Sequence, residues 1–208
     1  MLLVVLCGTI AGAVSAWASG QRLVLGQQAC AARANEITAI PLLLERLAIR
    51  GALVTIDAMG CQTRIAQKIL DQDADDLLAV KQDWPHLHAE IERGFDDPAT
   101  TGLLRGQTTD GDHGRIEVRR HAVSHDVAFL QTDRRLPGEP RCPGLKAIAT
   151  VKTEVERGGK TSIERRFHLS SIALNLLRAA NDTHSLKVRR KSAGWDTDYL
   201  QAILRRTA

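Results

Sequence analysis

The chain has 208 residues, 44% apolar and 25% charged, which excludes a disordered, collagenous or coiled-coil protein and suggests one domain or one with a small appendage. Three Trp, three Phe and one Tyr are too few for a platform on which single-stranded bases stack. The net charge of +4 comes from 28 basic and 24 acidic residues, and the whole excess falls after Asn175, where Lys187, Arg189, Arg190 and Lys191 form a dense run. Such a run can neutralise phosphates and make binding salt-dependent; its bland alternative is a solvated helix end. Cys7, Cys30, Cys61 and Cys142 show no CxxC or CxxH spacing, so they read as free thiols of a cytoplasmic protein rather than zinc ligands or a disulfide frame.

The first twenty residues, MLLVVLCGTIAGAVSAWASG, have the apolar stretch and small residues of a secretory signal. No Lys or Arg precedes Arg22, however, and the run is too short to cross a bilayer as a helix. No membrane association is expected, and release of a secreted form after Ala18 ranks last among the readings.

Val14 to Trp17 and Gln21 to Gly26, separated by Ser19-Gly20, predict a hairpin. Asn35 can cap a helix running from Glu36 to about Ile49, because Ile37, Ile40, Leu43, Leu44 and Leu47 recur at helical spacing. Ala52 to Ile56 (ALVTI) is a continuous apolar, β-branched run, the pattern of a buried parallel strand. A helix from Gln62 to about Asp71, a strand at Leu77 to Lys81, and a helix opened by Pro85 and passing through Phe95 follow. Strand, helix, strand, helix is the rhythm of an α/β sheet. From Gln107 the pattern changes: Arg115 to Val123, Leu145 to Glu156 and Thr161 to Leu169 read as strands, the last two joined at Gly158-Gly159. Pro137 to Pro143 reads as a loop. Helical stretches are expected at Ala173 to Ala180 and Asp196 to Arg205.

Asp57 stands out because it closes a buried strand, and sites in open α/β sheets lie beyond the carboxyl ends of strands. Capping the helix that follows is its structural alternative. One carboxylate does not hold a metal pair, since phosphoryl transfer by two ions needs several. Asp110 and Asp112 flank Gly111 without the later Glu of a calcium loop. His86 and His88, or His121 and His125, lack the placement of a zinc pair.

VTIDAMGCQTRIAQKILDQDADDLLAVKQ resembles the central block of insertion-sequence transposases of the DDE type, in the subgroup that includes the H-repeat-associated proteins. LLVVLCGTIAGA, VSAWASGQRLVLGQ, NEITAIPLLLERL, DGDHGRIEVRR, ERRFHLSSIA and NLLRAANDTHSLKVRRKSAGWDTDYLQAILRR agree with it in order, so the likeness covers almost the whole chain. It implies a ribonuclease H-like fold in which carboxylates hold two magnesium ions for in-line attack on a DNA phosphodiester. Of the catalytic carboxylates only Asp57, matching the second Asp, is present. The Asp-Gly-Lys strand expected between Ala13 and Val14, and the Glu-bearing block expected between Asn175 and Leu176, are both missing from the sequence. Glu117, Glu154 and Glu164 fall in strands of the β-rich region and are not expected to replace them.

The fold class is therefore α/β: an incomplete ribonuclease H-like core with an inserted β-rich region and C-terminal helices. Residues 1–13 would be the remnant of an N-terminal family region, 14–106 the partial core, 107–172 the insertion, and 173–208 a basic helical segment. The implied function is a transposase remnant without strand transfer, its magnesium binding lost. The alternative is a non-catalytic DNA-binding fragment that modulates an intact transposase. DNA element ends, a second copy or the intact transposase would be its partners. Loss of the central strand should leave the strand ending at Asp57 as an open apolar edge and make the protein prone to associate. Leu2 to Leu6 is a candidate for the empty position, although the family's corresponding segment reads as helix.

Overall fold

A computed structural model describes residues 2–9, 12–30, 36–112, 115–131 and 141–172. The elements follow the chain as β1 (Leu3–Thr9), β2 (Ala13–Ala18), β3 (Leu23–Ala29), α1 (Glu36–Leu44), β4 (Leu53–Ile56), α2 (Thr63–Leu70), β5 (Asp75–Val80), α3 (Pro85–Asp96), β6 (Leu104–Asp112), β7 (Arg115–Ser124), β8 (Ala147–Arg157) and β9 (Lys160–Ser170). Short 3₁₀ turns occupy Ala58–Gly60 and Ala128–Leu130. The expected helices at 173–180 and 196–205, the Asn35 cap and most of the 137–143 loop lie outside the described residues.

All nine strands join one sheet in the order β3-β2-β1-β4-β5-β9-β8-β7-β6. β1, β4 and β5 run parallel to one another, and every other pairing is antiparallel. The expected open edge beside Asp57 does not exist. Leu3–Thr9 fills that position as a strand, pairing Leu3 with Leu53 and Leu6 with Ile56 on one side and Val4 with Ala18 on the other. Its apolar, β-branched sequence suits a half-buried pleat better than a helix.

Side-chain alternation divides the sheet's two faces. Val4, Leu6, Val14, Ala16, Val54, Ile56, Leu78, Val80, Phe167 and Leu169 are buried on one face, where they share a core with Ile40, Leu43 and Leu44 of α1, Ile65 and Ile69 of α2, and Leu87 and Ile91 of α3. The parallel strands read as near-continuous apolar runs, and these helices cover that face. On the other face Val5, Thr55, Leu77, Ala79 and His168 are only half-buried.

Two boundaries differ from the sequence pattern. α1 ends at Leu44 rather than near Ile49, because the chain tightens there: Arg46 N–H donates to Leu43 O and Leu47 N–H to Leu44 O, bonds of the 3₁₀ kind. β6 was not anticipated. LRGQTTDGD has no apolar alternation, and its strand form comes from nine residues paired with β7, from Leu104↔Val123 to Asp112↔Arg115. Asp110 and Asp112 thus stand in a strand, not in a cation-binding loop.

Asp76 sits where β5 meets β9. It is buried, its Oδ1 accepts from Ser171 N–H at 2.9 Å, and Ser171 Oγ accepts from Asp76 N–H at 2.7 Å. Its Oδ2 has no partner, and burial pushes the carboxyl up to about 6.

Candidate functional site at the strand ends

A cleft of about 810 Å³ opens at the carboxyl ends of β1, β4 and β5, against the middle of β9, and reaches His88 of α3. The register that pairs Leu6 with Ile56 sets Cys7 beside Asp57, and Ala79 pairs with His168. Cys7, Asp57, Ala79 and His168 all line the cleft, with Lys81, Asp83, Glu164 and Arg166 further out.

Asp57 combines the two roles the sequence allowed. It caps the turn Ala58–Gly60, its Oδ1 accepting from Ala58 N–H at 2.8 Å. The same carboxylate pairs with Lys81, whose Nζ lies 2.9 Å from Oδ1 and 3.1 Å from Oδ2. The Lys81 hydrogen bond, followed by the Ala58 N–H, holds the Asp57 carboxyl below its ordinary range. Gly60 is fixed by packing, since a Cβ there would run into the Ile56 side chain.

Across the cleft Arg166 donates to both oxygens of Glu164, each at 2.8 Å. This contact lowers the Glu164 pKa and raises that of Arg166, and Asp57 adds a smaller upward influence on Arg166. Burial, and then the Arg166 charge, depress the pKa of His168. The cleft therefore presents two ion pairs, Asp57–Lys81 and Glu164–Arg166, and the Asp83 carboxylate around a neutral-leaning histidine.

Magnesium takes oxygen ligands in near-octahedral geometry, and this donor set does not fit a pair of such ions. An ammonium already occupies both Asp57 oxygens, and the neighbour of Asp57 on β1 is a thiol rather than a carboxylate. Among the described residues no group of three His, Cys, Asp or Glu side chains is placed to hold a metal ion. Glu164 shares the cleft with Asp57, but Glu117 and Glu154 do not. Glu117 is buried between Arg115 and Arg119, and Glu154 pairs with Arg120 at 2.9 Å.

Lys187, Arg189, Arg190 and Lys191 lie outside the described residues. Lys81 was missed, although it ends its strand on the same side of the sheet as Asp57 and that placement was a usable signal. Arg166 and His168 carried no such signal, because only the long-range pairing of β9 with β5 brings them in. The four cysteines are free thiols, Cys61 buried and Cys7 exposed. Among the described residues no helix is long and apolar enough to cross a membrane.

No family model matches the chain. It is 46% identical over 190 residues to "Putative transposase YncI" of Escherichia coli O157:H7, covering 89% of this chain and 47% of that protein. It is 35% identical over 158 residues to "Uncharacterized protein in dhlA 3'region" of Xanthobacter autotrophicus, covering 75% of this chain and 51% of that protein. It is also 40% identical over 115 residues to "H repeat-associated putative transposase YhhI" of Escherichia coli K12, covering 53% and 30%. The chain spans about half the length of the first two of these relatives.

Proposed function

Because the chain belongs to the H-repeat-associated transposase family, we propose that it is a transposase-derived protein that associates with DNA but no longer cleaves or joins it. The observation that carries this reading is the Asp57–Lys81 pair beside Cys7. At the strand end where the resemblance calls for carboxylates and magnesium, one carboxylate stands neutralised by an internal cation. Lys81 screens Asp57 and fixes its orientation; Ala58 N–H locks the carboxylate to the turn. Neither contact polarises a phosphate or generates a nucleophile.

The ribonuclease H-like reading of β1 to β5 draws support from β1, which lies centrally, parallel to β4 and directly beside it. The resemblance places the strand of the first Asp in that position. Here the segment that resembles the family's LCGTIAGA region fills it, consistent with an internal deletion after Ala13. The basic run at 187–191 supplies a second, sequence-based ground for DNA association, and DNA element ends are the proposed partner.

The test is a magnesium-dependent nicking assay on element-end DNA, with Asp57→Asn alongside the parent. We expect both proteins to give the same background. Nicking by the parent that Asp57→Asn abolishes would show a working site and overturn the reading.

A further inference from the structure

A second groove, of about 540 Å³, lies on the helix-covered face where the sheet extends past the end of α3. Arg105, Arg120, Lys152 and Arg165 line it, one from each of β6, β7, β8 and β9. The register sets Arg120 opposite Lys152 and Lys152 opposite Arg165. Arg105 belongs to the same face, two residues along from Gln107, which pairs with Arg120. Like charges directly opposite one another on neighbouring strands repel and destabilise a sheet. This row places three in succession, with a fourth beside it.

The neutralising charges are fewer and act at its margins. Arg120 pairs with Glu154 at 2.9 Å, and Arg165 pairs with Asp96 at 2.9 Å and with Glu92 at 3.7 Å. Asp96 is the single carboxylate lining the groove itself. Among the described residues Arg105 and Lys152 have no ion-pair partner, and both are exposed. Arg165 lies over Phe167, 4.9 Å from the ring centroid, and both of its terminal nitrogens already meet Asp96. The cations of the groove that no described carboxylate holds are therefore Arg105 and Lys152.

We propose that this groove is a second nucleic-acid contact, which takes the phosphate backbone and adjoins the strand-end cleft at Arg165. Strands spaced about 4.8 Å apart spread the four cations over roughly 14 Å. That length serves consecutive phosphates of one polymer rather than a single small anion. The proposal rests on the DNA-associating reading above but not on the fate of Asp57.

The experiment measures affinity of the full chain for a random-sequence duplex as a function of salt, for the parent and for the double variant Arg105→Gln, Lys152→Gln. Each phosphate contact contributes about 0.9 to the slope of log affinity against log salt. The double variant should therefore lose close to 2 from the slope while melting at or above the parent's temperature. An unchanged slope overturns the groove and leaves the DNA reading standing; a parent that binds no duplex overturns both. Inorganic phosphate at matched ionic strength should compete no better than chloride. Displacement by millimolar phosphate would mark a single-anion site and likewise overturn the backbone contact.

Discussion

The two halves of the sheet are built on different terms. From β3 to β5 the strands are short, and α1, α2 and α3 bury one face over Leu6, Val54, Ile56 and Leu78. From β9 to β6 they run nine to eleven residues, are wholly antiparallel, and extend beyond α3 with Ile116 and Ile163 half or more exposed. The first half is held together by burial and the second by ladder hydrogen bonds and cross-strand pairs. A continuous sheet can thus keep its rigidity in one half while the other carries charge, and each property can be tested where the other is weak.

The largest contrast is expected in the core. Phe167, 1% exposed and stacked 6.3 Å from Phe95, should cost about 3–5 kcal/mol when changed to Ala. Ile163→Ala, four residues away and 60% exposed, should change stability by less than about 0.5 kcal/mol. Urea unfolding reads both, and similar values would erase the distinction between the helix-covered part of the sheet and its exposed extension.

The seam between them should respond to pH. Below about pH 4 the Asp76 carboxyl is protonated in the folded and unfolded chains alike. Above about 6 the folded chain must hold a buried charge. Stability therefore falls as pH rises through that window, by about 3 kcal/mol in all. Asp76→Asn, unfolded in urea at pH 4 and pH 7, should lose this dependence; a slope as steep as the parent's would refute the assignment.

Gly60→Ala should cost about 1–3 kcal/mol through overpacking against Ile56, seen as a lower melting temperature. The smallest effect is expected on the open face. Lys81→Gln should change stability by under about 1 kcal/mol, because the pair is exposed. The Asp57 carboxyl should nevertheless titrate higher once its first hydrogen-bond donor is gone, which carboxylate NMR would follow. An unmoved titration would show that Lys81 does not govern the site.

Much of the helix-backed half was legible because its signals are local. ALVTI announces a buried strand and Pro85 a helix start; in the other half Gly158-Gly159, both at positive φ, announce a hairpin that only glycine enters without strain. β6 escaped notice because its residues describe a polar loop and only β7 makes them a strand. The position of Leu3–Thr9 between β2 and β4 is equally a matter of partners, which nothing in its own residues names. For the site, Asp57 could be found from its place at a strand end and Lys81 from the end of the next strand, whereas Arg166 and His168 enter only through the pairing of β9 with β5.

The antiparallel seam joining Val80 to Phe167 has a consequence for how the molecule is made. Nearly 90 residues must leave the ribosome after β5 before its partner β9 exists. At about 5–20 residues per second the gap lasts roughly 4–18 s. Throughout that interval Leu77 to Val80 offers an unpaired, mostly aliphatic margin to whatever is near.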